Sequence, residues 1–253
     1  MWIFIADLAG IIIDIGHWIL FWDKIQVNSM VTFVVCTKGE YKDTLVCNSI
    51  QRIKKITDMA VDEIVFAHNK DGLSYCYNKA ISLIKSGYIV FVHDDVQIVD
   101  MYIIDKLIDN LAKFDIVGLA GSKTLSLDRS PICWHNCDRS NWRGFVEHLS
   151  KDSNGATTIM STFGPSHGQC VVVDGLFLAT RAEVFQSTPL LRFDEDFSFD
   201  FYDASLCVNA YMLKRSIGVC NIHVMHMSHG NGILNESYKI AEKLFYTKYS
   251  TKV

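Results

Sequence analysis

The apolar positions of this chain fall into short β-branched runs separated by stretches of helical spacing. Val31-Thr32-Phe33-Val34-Val35-Cys36 is apolar almost throughout, the pattern of a strand buried on both faces. Thr37-Lys38-Gly39-Glu40 reads as a loop, and helical spacing returns over 41–56 through Leu45, Ile50 and Ile53. A second strand is expected at 63–67, and a helix over 73–86 that Gly87 stops. Tyr88-Ile89-Val90-Phe91-Val92 is the strongest strand, followed by a helix over 101–113 and a fourth strand at 116–120. Residues 31–120 therefore alternate strand and helix, which predicts an α/β architecture with helices on the faces of a parallel sheet. In such sheets ligands bind beyond the carboxyl ends of the strands.

Past residue 120 the regularity fades. The segment 121–169 carries His, Trp, Arg, Ser and Gly without a long apolar period and reads as irregular. Regular signals return as a strand run at 171–178, a helix over 204–214, a strand over 218–224 and a last helix over 236–249. There is no internal repeat and no linker composition, so 29–253 is expected to be one integrated domain.

Residues 1–25 are mostly apolar, with Trp2, Phe4, Trp18, Phe21 and Trp22, while Asp7, Gly10, Asp14 and His17 fall on one narrow helical stripe. The pattern predicts an apolar helical segment over 1–28. A secretory signal is excluded by the lack of a basic start and of a small-residue cleavage site. A membrane span would carry Asp7 and Asp14 at a cost of about 2.5–3.5 kcal/mol each. Packing against the domain or a second copy of the chain is favoured over a peripheral membrane contact, because the stripe lacks Lys and Arg.

Net charge is −4, and Lys and Arg are scattered, which argues against nucleic acid as a partner. The eight cysteines sit mostly inside apolar runs, as small hydrophobes do in a reducing compartment. A cytoplasmic protein, soluble or peripheral at a membrane surface, is the expectation. Cys133-Trp134-His135-Asn136-Cys137 lacks a second ligand pair for zinc and reads as a loop with two free thiols.

Chemistry concentrates at the end of the third strand, where His93-Asp94-Asp95-Val96 follows Val92. Carboxylates there suit Mg²⁺ or Mn²⁺ bridging to diphosphate oxygens. The same residues also fit an ordinary polar loop. Downstream, Phe193 to Asp203 interleaves acids with aromatics and leads into a helix, which makes Asp203 either a cap or a carboxylate held near a site. His223, His226 and His229 follow a late strand, and one of them could join Asp95 on a metal.

Taken in order, these residues resemble a known family. Tyr77-Asn78-Lys79-Ala80-Ile81, Tyr88 to Val96, Asp174-Gly175-Leu176-Phe177, Phe193-Asp194-Glu195, Phe201 to Cys207 and His226-Met227-Ser228-His229-Gly230 resemble the GT-A glycosyltransferases related to family 2. The branch most similar reads His-Gln-Asp-Val in place of Asp-x-Asp. The resemblance covers 31–248 and implies a GT-A, Rossmann-like mixed and mostly parallel sheet flanked by helices. It implies a nucleotide-sugar donor, often a UDP-sugar, with a divalent Mn²⁺ or Mg²⁺. The donor would lie on 29–120, and the acceptor on 121–253, near Trp134, Trp142 and Arg143. Asp95 would hold the metal, with His226 or His229 completing its site. His93 and Asp94 would lie near ribose and diphosphate; Thr37, Lys38 and Asn69 would face the base; Asn78 and Gly175 would support the pocket. Asp203 matches the catalytic base of inverting members. The acceptor would be a hydroxyl of a glycan, a lipid-linked sugar or a protein. Ser205 stands where many relatives carry a second acid, which puts base orientation in doubt. A non-catalytic nucleotide-sugar-binding module and a nucleotidyltransferase are the alternatives.

Overall fold

The computed structural model describes residues 30–152, 155–227 and 235–251, so the apolar segment expected over 1–28 lies outside the described residues. In chain order the strands and helices are β1 (Met30–Cys36), α1 (Leu45–Ile56), β2 (Ala60–Phe66), α2 (Leu73–Leu83), β3 (Tyr88–His93), β4 (Val96–Ile98) and α3 (Ile103–Leu111). Then come β5 (Ile116–Gly118), β6 (Ala120–Ser122), β7 (Trp142–Asp152), β8 (Gly155–Thr162), β9 (Gly168–Cys170), β10 (Val172–Val173) and β11 (Phe177–Arg181). The chain closes with α4 (Ala182–Ser187), α5 (Tyr202–Met212), β12 (Ile217–Val219), β13 (Val224–His226) and α6 (Glu236–Tyr249).

A seven-stranded sheet runs in the order β2-β1-β3-β11-β5-β12-β9. The alternation of β1 and β3 explains its two cores. Val31, Phe33, Val35, Val90 and Val92 face α1 and α3, whereas Val34, Cys36, Ile89 and Phe91 face α2, α5 and α6. Both faces are covered, as the continuous apolar runs require. Thr44 starts α1 with its Oγ1 accepting the Cys47 N–H at 3.2 Å.

The expectation of a mostly parallel sheet needs correction. Of six neighbouring pairs, β2–β1, β1–β3 and β5–β12 are parallel, while β3–β11, β11–β5 and β12–β9 are antiparallel. The reason is the route of the chain. No crossover helix precedes β11, so it enters the sheet from the carboxyl edge and runs against its neighbours.

The run read as one strand at 116–120 serves two sheets. It leaves the first after Gly118, bends at fully buried Leu119 and enters a second sheet, β10-β6-β7-β13-β4, with β8 on the far side of β7. The long β7–β8 pair lies in the segment expected to be irregular. Its apolar residues do not alternate cleanly, so the period-2 signal is weak. The Asn154–Gly155 dipeptide is the sequence cue for this hairpin. No helix among the described residues is long and apolar enough to cross a membrane.

Asp100 ties β4 to β13. Its Oδ2 takes the Lys106 ammonium at 2.6 Å and the His223 N–H at 3.0 Å, and its Oδ1 takes the Tyr102 N–H at 2.9 Å. Burial alone would raise its pKa, but Lys106 and the two N–H donors hold it below the ordinary range. Asp100→Ala strands these donors and should cost about 2–4 kcal/mol in urea unfolding at pH 7. Because folding lowers this pKa, the increment is present above about pH 4 and fades as pH falls further. A variant as stable as wild type at pH 7 would show that the clasp contributes nothing.

Candidate active site

The carboxyl edge of the sheet is in register: Cys36 pairs with both Phe66 and His93. The loops that follow are thereby brought together. The Thr37 N–H donates to the Phe66 carbonyl at 3.0 Å, and the Thr37 carbonyl accepts the Asn69 N–H at 2.9 Å. Thr37 is buried and Lys38 exposed, so Thr37, Lys38 and Asn69 form one lip. Asp94 follows on β3's end, where its carbonyl accepts the Val46 N–H at 3.4 Å. Asn78 is occupied elsewhere: its Oδ1 accepts the Phe193 N–H at 3.0 Å, and its Nδ2 donates to the Phe193 carbonyl and Glu195 Oε1, each at 2.8 Å. It holds the acidic, aromatic segment against α2.

His93, Asp95 and His226 converge from β3, the turn after it and β13, with ligand atoms within 4.8 Å of one another. The antiparallel pairing of His226 with Val96 sets this meeting. Asp95 Oδ1 and His226 Nε2 lie 3.3 Å apart. His226 Nδ1 is buried without a hydrogen-bond partner, and buried Asp95 Oδ1 has only the His226 contact. Burial alone would raise Asp95, yet His226 and His93 hold its carboxyl below the ordinary range. Burial lowers His93 despite the pull of Asp95, which keeps the imidazole in its neutral, ligating form. Burial would also lower His226, but Asp95 outweighs it and raises this pKa. His229 lies outside the described residues.

Tyr202 connects this cluster to the next. Its hydroxyl donates to the Gly175 carbonyl at 2.7 Å and lies 2.7 Å from His93 Nε2. A phenol has one proton to donate, so His93 is the donor to it and keeps the lone pair on Nδ1. Gly175 permits the approach, since a Cβ there would fall 2.1 Å from the Tyr202 hydroxyl and 2.9 Å from the Asp203 Cβ.

Asp203 sits in the first turn of α5, one residue beyond a helix start at Tyr202, so it is not the residue preceding the helix. Its Oδ2 accepts the Gly175 N–H and its Oδ1 the Ala204 N–H, each at 2.8 Å. Burial, and then the neighbouring Asp174, push its pKa up to about 7. Asp174 itself receives the Trp134 indole N–H at 2.9 Å and the Leu176 N–H at 3.0 Å. Trp134, Asp174, Gly175, Tyr202, Asp203 and His93 line one cavity of ≈ 240 Å³. Arg143 does not line it; its guanidinium is bound to the carbonyls of Ser140 and Trp142. All eight cysteines are free thiols. Among the described residues, His93, Asp95 and His226 are the one group placed to hold a metal, and the Cys133–Cys137 loop is not.

The model of the glycosyltransferase-like family matches residues 32–249. The chain belongs to this family. No curated protein matches this chain in sequence. Among solved structures, a mannosyltransferase from Pyrobaculum calidifontis in complex with GDP-Man and Mn²⁺ is similar over 86% of this chain and 66% of that one, at 11% identity and a TM-score of 0.49. This chain thus spans just under two thirds of that protein. Residues 1–349 of TarS from S. aureus are similar over 88% of this chain and 73% of that one, at 12% identity and a TM-score of 0.43.

The departure at Ser205 has a structural setting in this fold. Ser205 is fully buried, and its hydroxyl donates to the Tyr202 carbonyl at 3.0 Å. A carboxylate there would be desolvated without a partner. Tyr202 and Asp174 are not recognisable from sequence, because a Tyr in an aromatic-rich run and an Asp before a Gly carry no distinctive spacing.

Gly175→Ala should destabilise the protein by about 1–3 kcal/mol, since the new methyl must displace Tyr202 or Asp203. Gly39→Ala, where a Cβ meets nothing within 4 Å, is the matched control and should be near neutral. Equal melting temperatures for the two variants would contradict the close approach.

Proposed function

We propose that this glycosyltransferase moves a sugar from a nucleotide-diphospho-sugar to a hydroxyl of a glycan, lipid-linked or protein acceptor, with Mn²⁺ or Mg²⁺ and with inversion. The observation that carries the reading is the trio His93, Asp95 and His226 at the ligand edge of the sheet, with His226 Nδ1 buried and unpartnered and Asp95 Oδ1 buried with only the His226 contact. Such atoms are costly unless a group satisfies them, and one carboxylate with two imidazoles is a donor set that Mn²⁺ accepts. When bound, the ion offsets the charge that develops on the departing diphosphate. The preference for a UDP-sugar rests on the family resemblance.

In this reading, residues 29–120 hold the donor, with Thr37, Lys38 and Asn69 at the base end and His93 and Asp94 nearer the diphosphate. Residues 121–253 supply the acceptor half. Asp203 takes the proton of the attacking hydroxyl. Its pKa of about 7 places it near the optimum for a general base, and its two backbone N–H donors fix the carboxylate in orientation. Attack on the face opposite the leaving diphosphate then inverts the anomeric carbon in one displacement. Tyr202 positions His93, and Gly175 joins the Tyr202 contact to Asp203.

Asp95→Ala should abolish Mn²⁺-dependent binding of UDP, measured by calorimetry, while the melting temperature stays within a few degrees. Asp203→Asn should lower the transfer rate by ~10²–10⁴-fold and leave UDP–Mn²⁺ affinity unchanged. Unaltered Mn²⁺ dependence in the first variant would remove the metal assignment, and near-wild-type transfer by the second would remove the base.

The pH profile gives a separate test. A base must be ionised to act, so the rate should rise through about pH 7, the folded pKa of Asp203. Asp174→Asn removes the neighbouring charge but retains an acceptor for Trp134, and should move that limb to lower pH. Folding raises the Asp203 pKa, so its protonated form stabilises the fold below about pH 4, and this contribution is lost as pH rises to about 7. A rate limb that does not respond to Asp174→Asn would dissociate the limb from Asp203.

A further inference from the structure

The cavity in front of Asp203 has a composition that the proposed reaction does not by itself require. Three acids line it, Asp174, Asp200 and Asp203, beside the imidazoles of His93 and His135, with no Lys or Arg among the described residues that form it. Aromatic side chains line it as well, among them Trp134, Phe199 and Tyr238. Trp134 is fixed by its indole N–H on Asp174 and by edge-on packing against Phe163 at 4.9 Å between ring centroids.

Phe199 is the unexpected member. It is 62% exposed in a segment whose other phenylalanines, Phe193, Phe197 and Phe201, are buried. It lies nearly parallel to the His93 ring, with centroids 6.2 Å apart and planes 24° from parallel. The loop that presents it is held on both sides. The Leu73 N–H and the Ser74 hydroxyl donate to the carbonyls of Ser198 and Phe197, each at 2.6 Å. Gly72, at φ +83°, lets α2 approach so closely that a Cβ would meet the Ser198 Cβ at 2.7 Å. On the other side Phe201 adopts a left-handed φ of 66°, uncommon for a bulky residue, and stacks on Phe245 of α6 at 4.9 Å. The chain therefore holds a strained but buried Phe201 and, two residues before it, an exposed phenyl ring at the mouth of a site, where that ring contributes nothing to the core.

We propose that this cavity is the acceptor slot and that it takes an uncharged sugar ring, whose C–H face lies against Phe199 and Trp134 while a hydroxyl reaches Asp203. The inference rests on the reaction proposed above. Rings with an apolar face and polar edge suit pockets that combine aromatic walls with a few fixed polar groups. The acidic lining selects against a phosphate or carboxylate on the entering ring, because that charge would meet three carboxyl groups with no Lys or Arg opposing them. The acceptor is thus a neutral glycan residue, and any anionic group it carries lies outside the slot.

The test uses ligand-observed saturation-transfer NMR on the full chain, with and without UDP and Mn²⁺. The probes are methyl glycosides of glucose, galactose, mannose and N-acetylglucosamine, each beside its 6-phosphate. At least one neutral glycoside should bind, and its 6-phosphate should bind at least about tenfold more weakly. Phe199→Ala should weaken the neutral glycoside by about three- to tenfold, and Phe199→Tyr should restore it. Because Phe199 is exposed, both variants should melt with the wild type. Binding by none of the neutral glycosides, equal or tighter binding of a 6-phosphate, or no response to Phe199→Ala would each overturn the slot. UDP–Mn²⁺ titration of the same samples reads the donor assignment independently. Loss of UDP binding in the wild type, with Phe199-dependent glycoside binding intact, would count against the donor reading alone.

Discussion

The site depends on the placement of one buried hydroxyl group. Tyr202 can donate one proton, and the Gly175 carbonyl takes it; the remaining capacity of its oxygen is filled by His93. Burial and the nearby tyrosine and acids raise its pKa well above the ordinary phenol value, so the proton stays in place. The ring is gripped by Tyr77 and Phe193, with centroids 5.9 and 6.1 Å away. From this single contact follow the tautomer of His93, the requirement for glycine at 175 and the seat of Asp203 one residue along the helix. The His93 and Asp203 sides of the cleft are thus two ends of one short chain of hydrogen bonds through Tyr202 and Gly175.

That chain also explains why the acids differ in behaviour. Asp95 faces imidazoles and is held ionised, whereas Asp203 faces a second carboxylate in a desolvated wall and is held close to neutrality of pH. Two carboxylates with separated pKa values are a common arrangement where one group must bear charge permanently and another must exchange a proton.

The elements of the first half were readable because their periodicity was unambiguous. The runs at 31–36 and 88–92 are apolar at every position that two covered faces demand, and α1 to α3 follow from 3.6-residue spacing. Periodicity says nothing of direction, so the insertion of β11 between β3 and β5 was not legible. The β7–β8 hairpin was missed because residues on both of its faces are mixed in polarity. The edge position of His93 to Asp95 follows from the end of a strong strand, the acidic run and late histidines single out Asp203 and His223, His226 and His229, and the family resemblance adds a base role for Asp203 and a metal role for His226 or His229. What neither source supplied was the partner of each group. Tyr202 joins residues 109 positions apart in the chain, and Trp134 reaches Asp174 across 40, contacts that only the tertiary structure establishes.

The antiparallel insertion has a bearing on how the chain acquires its shape. Strands β1 to β3 are complete by residue 93, but the neighbour that covers the open edge of β3 is not made until residues 177–181, and β12 follows only at 217–219. During synthesis the most apolar strand of the protein therefore waits with an unpaired edge while more than eighty residues emerge, at roughly 5–20 residues per second. Such an edge is a template for pairing with other chains. The order of strands that builds the cleft also makes the nascent first half dependent on late partners, and places the hazard of aggregation in the interval before β11 arrives.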